Sequence, residues 1–185
     1  MKQESLWFAA YVRVKSNLGS ETPGPDFETM GALTKKRILE LRLAVYNNNF
    51  NWKGVRQTHI AKPGKPGKTL PLGIPATHDR FVMEVNQSIL EPVFEVPFKH
   101  SSMGFRPNRS CHIALKKIIT HMKNSIMFIE GDINNYFPGI NHAILIRQIQ
   151  KRIQHPKIFT LLKTGLKANV FEKDKTPFSP QIGTH

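Results

Sequence analysis

The stretch Ile126-Met-Phe-Ile-Glu-Gly-Asp132 sets a short apolar run directly before an acidic, turn-forming segment. A continuous apolar run of this length is typical of a buried β-strand. Asp132 would then stand at the carboxyl end of that strand and project into a cleft from a rigid support. Nucleotidyl transfer needs carboxylates at such a point, because two cations must bridge the attacking and leaving oxygens. An ordinary role for Asp132, as a turn residue or the N-cap of a short helix, stays open.

Helical patterns lie on both sides of this stretch. Thr34 and Ser110 are placed to cap helices, and Pro156 to open another at its first turn. A further helix is expected around Phe81–Val93, where Pro92 should kink it or start a second one. The positions predicted to face inward are Ile38, Leu41, Val45, Phe81, Val82, Val85, Ile89, Val93, Ala114, Leu115, Ile118, Met122, Leu145, Ile149, Ile153, Ile158, Leu161, Leu162 and Leu166. Cys111 is expected to be a buried helix residue.

The rest of the chain is read as strands and loops. Residues 57–62 and 70–74 read as two strands of a hairpin. Residues 14–32 read as a loop, and residues 172–185 as a polar, turn-like tail. Helices mixed with a few strands, without strict alternation, predict an α+β fold.

The hairpin connection Pro63-Gly-Lys-Pro-Gly-Lys68 is rich in turn residues and carries positive charge. Lysines at Lys62, Lys65 and Lys68 supply point charges to phosphate groups, and a basic hairpin can close over a triphosphate. The alternative interpretation is a solvated turn.

A second basic segment is Gly104-Phe-Arg-Pro-Asn-Arg-Ser110. Its two arginines, Arg106 and Arg109, flank a predicted helix N-terminus, a position suited to a phosphate backbone. The alternative interpretation is an ordinary surface loop.

Composition points to a polyanionic partner. The 185 residues hold 27 Lys and Arg against 13 Asp and Glu, a net charge of +14. A folded domain this basic usually meets nucleic acid, with an anionic membrane surface or a ribosome-like assembly as alternatives. Cys111 is the single cysteine, which excludes a disulfide framework within the chain. No apolar run approaches the roughly 20 residues of a spanning helix, and the first residues resemble neither a secretory signal nor a transit peptide.

Four segments, in this order, resemble group II intron reverse transcriptase/maturases. They are Val14–Thr29, Lys68–Pro75 followed by Asp79-Arg80 and Ile89–Glu95, Ser102–His112, and Glu130–His142. Each segment alone is weak to moderate, but four in order over nearly the whole chain are specific. The resemblance implies a fingers region over about residues 1–125 and the start of a palm over about residues 126–185.

The resemblance also implies roles for particular residues. Asp132 matches a catalytic aspartate that binds Mg²⁺, Ile133 would offer a backbone carbonyl, and Phe137 matches an aromatic gate against the ribose 2′-hydroxyl. Lys62 matches a lysine that contacts the incoming triphosphate. The residues expected to contact template, primer or intron RNA are Lys65, Lys68, Arg80, Arg106 and Arg109.

Departures from the family's pattern limit the expected activity. Leu70 replaces an arginine that contacts the triphosphate, and Pro138 and Asn141 stand where aspartates are usual. The family's Tyr-Ala-Asp-Asp segment is expected beyond residue 185, so we expect no polymerase activity from this chain alone. Three hypotheses follow: a reverse transcriptase part completed by a separately encoded half, an RNA-binding module that assists intron splicing, or a decayed reading frame. The resemblance and composition favour an organelle-encoded mitochondrial product.

Overall fold

The computed structural model describes residues 2–172 and 176–184, and these form a mixed α+β structure. The predicted turn-like tail therefore includes residues 173–175 and 185, which lie outside the described residues. The helices are α1 (Glu4–Lys15), α2 (Lys35–Tyr46), α3 (Thr77–Glu95), α4 (Cys111–His121), α5 (His142–Gln150) and α6 (Pro156–Leu166). The strands are β1 (Val55–Ala61), β2 (Thr69–Pro75) and β3 (Val170–Glu172), and a 3-10 turn covers Met30–Ala32.

The chain divides into two compact units. The first unit comprises residues 1–88 and 135–185, and the second comprises residues 89–134. The boundary falls within α3, which continues through Pro92 as one helix and does not restart there.

The core of the first unit is built around two aromatic rings. Trp7 of α1 and Phe81 of α3 are both 0% exposed, and their rings meet edge to face with centroids 5.5 Å apart. Such ring pairs contribute about 0.5–1.5 kcal/mol beyond the area they bury. Helix α2 joins this core through Ile38, Leu41 and Val45, as its periodicity predicts. Its start is fixed by Thr34, whose hydroxyl accepts a hydrogen bond from the Arg37 N–H at 3.3 Å.

The sheet has the strand order β2-β1-β3. Strands β1 and β2 form the predicted antiparallel hairpin, with Ala61 opposite Thr69 at the end next to the connecting residues 62–68. Strand β3 pairs with β1 in parallel, with Val55 opposite Val170. The prediction of a turn-like tail from residue 172 was wrong at Glu172, because three residues suffice to pair with an exposed edge of β1.

A buried carboxylate joins the start of α3 to the start of β1. The Asp79 Oδ2 atom accepts hydrogen bonds from the Lys53 and Gly54 N–H groups, both at 2.8 Å. The other carboxylate oxygen of Asp79 is buried and has no hydrogen-bond partner within residues 2–172 and 176–184. Gly54 has φ +96°, and a Cβ there would clash with the Asn169 carbonyl oxygen, so glycine is required.

Helix α1 was not predicted, although its signal is present in the sequence. Its buried residues are Trp7, Ala10 and Val14, which recur at helical spacing. The predicted loop from residue 14 therefore begins two residues later, after Lys15. Glycine, proline and serine further along the chain obscured this boundary.

The predicted buried strand at Ile126–Ile129 was wrong. These residues form no strand, and Phe128 is 75% exposed. A strand requires a neighbouring strand to bond its backbone groups, and no strand in the described part of the chain pairs with this run.

The predicted inward face of α4 was also wrong. Ser110 does cap this helix, since its hydroxyl accepts from the Ile113 N–H at 3.3 Å. However, no residue of α4 is buried, and Leu115 is 57% exposed. Cys111, expected in the core, is exposed as well. The described residues of the second unit provide no element that covers this helix.

Helix α6 begins as predicted, at Pro156, and helix α5 begins after an N-cap at Asn141. Helix α5 ends at Gln150, so Ile153, which was predicted to face inward, lies beyond it; the buried residue of α5 is Ile146, whereas Leu145 and Ile149 are half-buried. Among the described residues, no helix is long and apolar enough to cross a membrane.

Replacing Asp79 with asparagine should change how stability depends on pH. Burial raises the pKa of Asp79 to about 6 from an unperturbed 3.8, against the opposing effect of two backbone N–H groups. The folded state therefore binds this proton more tightly than the unfolded state does. The resulting contribution to the free energy of unfolding is complete below about pH 4 and is lost as the pH rises through 6, a change of roughly 3 kcal/mol.

The test is urea unfolding of the wild-type chain and the Asp79→Asn variant between pH 4 and 8. Asparagine keeps an oxygen for both N–H groups but does not titrate. We expect the wild-type chain to lose stability across this range relative to the variant, with Glu21→Gln as a control that preserves the wild-type profile. Parallel profiles for wild type and Asp79→Asn would contradict the assignment.

Candidate nucleic-acid interface

The hairpin tip, residues 62–68, consists of two consecutive turns of the same sequence, Lys-Pro-Gly-Lys. The Lys65 N–H donates to the Lys62 carbonyl at 3.2 Å, and the Lys68 N–H donates to the Lys65 carbonyl at 3.1 Å. Proline followed by a glycine at positive φ is the pattern of a type II turn, and Gly64 and Gly67 have φ of +71° and +76°. The tip is therefore built from two regular turns, and a lysine stands at the first and last position of each turn, the corners of the tip.

The hairpin tip presents concentrated positive charge. Lys65 and Lys68 are exposed and Lys62 is half-buried, and none of them forms an ion pair with the described residues. No Asp or Glu occurs between Glu40 and Asp79 in the sequence. The hairpin and its flanking sequence therefore contribute positive charge and no carboxylate of their own.

Arg80 holds a loop in place. Its guanidinium donates to the carbonyls of Gly19 at 2.7 Å, Thr22 at 3.0 Å and Pro75 at 3.5 Å. It lies in the wall of a cleft of about 460 Å³ between residues 14–22, β2 and α3. Burial lowers the pKa of Arg80, an effect opposed by Asp26. A contact between Arg80 and nucleic acid stays a prediction, whereas its hydrogen bonds to the carbonyls of Gly19 and Thr22 are present in the structure.

Arg106 likewise makes its hydrogen bonds to nearby residues of the second unit. Its Nε and Nη2 atoms contact the Glu95 carboxylate, the latter at 2.6 Å, and its Nη1 atom donates to the Lys99 and Ser102 carbonyls at 2.8 Å. Hydrogen bonding from Arg106 lowers the pKa of Glu95 and in turn raises the pKa of Arg106. This fork-to-fork pair closes the loop between α3 and α4.

Arg109 is the more available arginine of this loop. It is half-exposed, and its side chain has no hydrogen bond or ion pair with the part of the chain that the structure describes. It precedes Ser110 at the N-terminus of α4, where backbone N–H groups also favour anions. The structure thus separates the two predicted arginines: Arg106 shapes the loop, whereas Arg109 only adds a smaller, charge-based contribution to the lowered pKa of Glu95, after the hydrogen bond from Arg106.

Asp132, Ile133 and Phe137 lie in an irregular, exposed segment. Asp132 and Ile133 belong to the second unit and Phe137 to the first. Phe137 is 55% exposed and packs edge to face against Tyr136, with ring centroids 5.4 Å apart. Its backbone carbonyl accepts from the Thr184 N–H at 3.0 Å. The expected rigid strand beneath Asp132 is absent from the described residues, for the reason given above.

A complete site for two magnesium ions does not fit the described residues. Such a site needs several carboxylate oxygens around the ions, and Asp132 belongs to no group of three potential ligands within residues 2–172 and 176–184. Asp132 can therefore supply one ligand, and further carboxylates are required.

One cluster of potential ligands does form, at Asp26, Glu28 and His78, with ligand atoms within 4.8 Å of one another. Two cations already face it. The Arg37 Nε atom lies 3.3 Å from His78 Nε2, and the Lys53 Nζ atom lies 3.7 Å from Asp26 Oδ2. Burial, followed by Lys53 and Arg37, lowers the pKa of His78.

This cluster connects elements of the first unit. Asp26 accepts from the Thr77 N–H at 3.1 Å, and the Thr77 hydroxyl donates to the Glu28 carbonyl at 2.7 Å. Sequence reasoning missed this network. No local pattern indicates it, because Asp26 and Glu28 meet His78 and Thr77 only through the tertiary fold.

Comparison with known proteins identifies the family. The family model described as "Reverse transcriptase (RNA-dependent DNA polymerase)" matches residues 60–181. The group II intron-encoded protein LtrA of Lactococcus lactis subsp. cremoris is 35% identical over 167 residues, which is 90% of this chain and 28% of that protein. The chain belongs to the group II intron reverse transcriptase/maturase family.

Other relatives of this reverse transcriptase/maturase chain come from a bacterium and a plant. Protein YkfC of Escherichia coli is 32% identical over 171 residues, 88% of this chain and 44% of that protein. Nuclear intron maturase 1, mitochondrial, of Arabidopsis thaliana is 25% identical over 176 residues, 88% of this chain and 25% of that protein. The chain thus spans less than half the length of each of these relatives.

The residues predicted to form the site of this reverse transcriptase/maturase chain all fall within the matched range, from Lys62 to Phe137. Their individual roles stay predictions. The structure brings Lys62, Lys65 and Lys68 together at the hairpin tip and places Arg106 and Arg109 in one loop.

Removing Arg106 should disrupt the loop, whereas removing Arg109 should not. Arg106→Ala leaves the Glu95 carboxylate and two backbone carbonyls without their donor. We expect amide hydrogen exchange in residues 99–110 to accelerate by roughly tenfold or more, because hydrogen bonds to charged groups are lost. The matched variant Arg109→Ala should leave exchange near that of the wild-type chain. Equal exchange in the two variants would show that Arg106 does not hold this loop.

Proposed function

We propose that this chain forms the fingers region and the start of the palm of a group II intron reverse transcriptase/maturase. We place the fingers at about residues 1–125 and the palm at about residues 126–185. On its own, the chain binds intron RNA and does not polymerise nucleotides. The observation that carries this proposal is the hairpin tip, where three lysines occupy the corners of two ordered turns in a stretch without acidic residues. Group II intron-encoded relatives and the net charge of +14 support RNA as the partner.

The hairpin tip suits a phosphate backbone for a physical reason. Lysine binds phosphate as a point charge and needs no fixed orientation, so an ordered tip with exposed ammonium groups can contact successive phosphates. Arg109 adds a cation at the start of α4 in the second unit. Lys62, Lys65, Lys68 and Arg109 are therefore the residues that we assign to nucleic-acid binding. Arg80 and Arg106 support binding indirectly, by shaping the loops.

Nucleotide polymerisation requires additional carboxylates. Asp132 is the proposed catalytic metal ligand, with Ile133 offering its carbonyl and Phe137 acting as the gate against a ribose 2′-hydroxyl. No Tyr-Ala-Asp-Asp segment occurs in the 185 residues. We propose that the remaining carboxylates come from a polypeptide segment outside these residues, including a separately encoded one, and that Mg²⁺ binds once they are assembled.

Relatives support a proposal about location. Nuclear intron maturases 1 and 2 of Arabidopsis thaliana carry the word mitochondrial in their names, whereas LtrA and YkfC are bacterial. We propose that the chain is a mitochondrial product, as the names of these two maturases suggest, and that it is organelle-encoded, a proposal that rests on its frequent Asn, Ile and Lys residues and not on these relatives.

RNA binding should depend on the hairpin tip. The test measures the affinity of the 185-residue chain for a group II intron RNA and for an unrelated structured RNA across a salt series. We expect the Lys62→Gln/Lys65→Gln/Lys68→Gln variant to bind the intron RNA more weakly. Its slope of log affinity against log salt should fall by about 2–3, since each phosphate contact to a duplex contributes roughly 0.9.

The matched control removes the same charge elsewhere. Lys15, Lys35 and Lys36 are exposed on α1 and α2, and their replacement by glutamine should leave the intron preference intact. Equal losses of RNA affinity in the two triple variants would show that binding depends on total charge and not on the hairpin tip, which would contradict the proposal. Equally weak binding of both RNAs by the wild-type chain would favour a decayed reading frame, with which Leu70 and Pro138 are consistent.

Primer extension tests the requirement for further carboxylates. With Mg²⁺, template, primer and deoxynucleotides, the wild-type chain and the Asp132→Asn variant should both give background incorporation. Adding a polypeptide that carries the family's Tyr-Ala-Asp-Asp segment should restore incorporation to the wild-type chain only. Extension by the isolated wild-type chain, abolished by Asp132→Asn, would overturn the proposed requirement.

A further inference from the structure

Helix α6 runs alongside the segment that follows α2. At its start, the Lys157 Nζ atom lies 4.2 Å from the centroid of the Tyr46 ring. One turn before its end, the Trp52 indole N–H donates to the Thr164 hydroxyl at 3.0 Å. The Trp52 ring also lies against Gly165, where a Cβ would come within 2.9 Å of it. All of these residues belong to the first unit, so their arrangement is defined within one compact body.

The sequence around α6 contains no acidic residue. No Asp or Glu occurs between Asp132 and Glu172, whereas this interval contains Arg147, Lys151, Arg152, Lys157, Lys163 and Lys167. Lys163 and Lys167 are exposed, and neither forms an ion pair or side-chain hydrogen bond within the described ranges.

The two lysines stand one helical turn apart. At this spacing, like charges repel each other, although the carbonyl end of the helix offsets part of this repulsion. A bound anion would relieve the rest, and closely spaced lysines suit two neighbouring phosphates.

Aromatic rings and amides belong to the segment that packs on the end of α6, where Trp52 contacts Thr164 and Gly165, which lie between these two lysines in the sequence. Phe50 and Trp52 pack edge to face with centroids 5.1 Å apart, and both remain partly accessible. Asn47, Asn48 and Asn49 are exposed in the same segment. Unpaired bases are bound by stacking on aromatic rings and by hydrogen bonds to their edges, whereas a duplex keeps its bases stacked inside.

We propose that the α6 face, defined as Phe50, Trp52, Lys163 and Lys167, binds single-stranded RNA. Lys163 and Lys167 contact phosphates, and the accessible part of the Trp52 ring stacks on a base. This inference rests on the proposed function, because it assumes that the chain binds RNA, and it adds a second contact surface with a different chemical preference from the hairpin tip.

An anionic membrane is the competing occupant for a basic helix, and the packing of α6 argues against it. Interfacial helices bind membranes by inserting an apolar face. The apolar residues Ile158 and Leu161 of α6 are buried within the protein, and Phe159, Leu162 and Leu166 are partly covered, so most of the apolar face of the helix is already packed against the protein.

Tryptophan fluorescence provides a direct test. The chain has two tryptophans, and Trp7 is 0% exposed, so a quencher in solution reaches Trp52. Titrating the 185-residue chain with oligouridylate should quench this emission, because a stacked base quenches the indole. Inorganic polyphosphate, which carries charge without bases, should bind without comparable quenching.

Charge removal on the α6 face supplies the second readout. The Lys163→Gln/Lys167→Gln variant should bind oligouridylate several-fold more weakly, with a salt slope lower by about 1.4, since each single-strand phosphate contact contributes roughly 0.7. The matched control Lys35→Gln/Lys36→Gln removes equal charge from exposed positions on α2 and should retain wild-type quenching. The hairpin-tip triple variant should also retain quenching.

The outcomes separate this inference from the proposed function. Oligouridylate binding without Trp52 quenching, or equal losses in the two double variants, would overturn the α6 face and leave RNA binding by the hairpin tip standing. Quenching by phosphatidylserine vesicles but not by oligouridylate would assign the face to a membrane and overturn the inference. Failure to bind any RNA would overturn both proposals.

Discussion

The buried carboxylate of Asp79 is the constraint on which the first unit depends. Its two hydrogen bonds to Lys53 and Gly54 fix the point where β1 begins relative to the first turn of α3. The Ala76 N–H then donates to the Gly54 carbonyl, and the Val55 N–H donates to the Asn169 carbonyl. Helix, hairpin and third strand therefore meet at one point. A buried charge is costly unless it is compensated by hydrogen bonds, and here one carboxylate oxygen has no partner among the described residues, which agrees with the raised pKa of Asp79 that burial causes.

The consequence of this junction lies at the other end of the hairpin. Strand β1 is anchored at its start, pairs with β3 over Val55–Gln57 and pairs with β2 over its whole length, so the tip lies at the far end of the β1–β2 ladder. Two turns built from proline and positive-φ glycine then keep the lysines at defined corners. The backbone geometry of the two turns thus fixes where the lysines stand, so this basic motif forms an ordered, positively charged surface.

The arginines of the family-like segments have a different function from the lysines. Arg80 and Arg106 direct their donors at backbone carbonyls and at Glu95, so they shape the loops in which they stand. A guanidinium with its fixed fork of donors suits this work, whereas the ammonium of lysine does not. Residues that mark the family in sequence are therefore divided between loop formation and exposed charge, a division that sequence similarity alone does not reveal.

The sequence by itself determined the local elements and the family. Helical periodicity located α2, α5 and α6, turn chemistry located the hairpin, and four ordered motifs identified the reverse transcriptase/maturase family. These features depend on neighbours in the chain, which is why they are readable. Tertiary structure decided the rest, because burial and pairing depend on distant partners. Ile126–Ile129 is apolar enough for a strand but has no strand beside it among the described residues, and Asp79 became a junction only because Lys53 and Gly54 fold onto it.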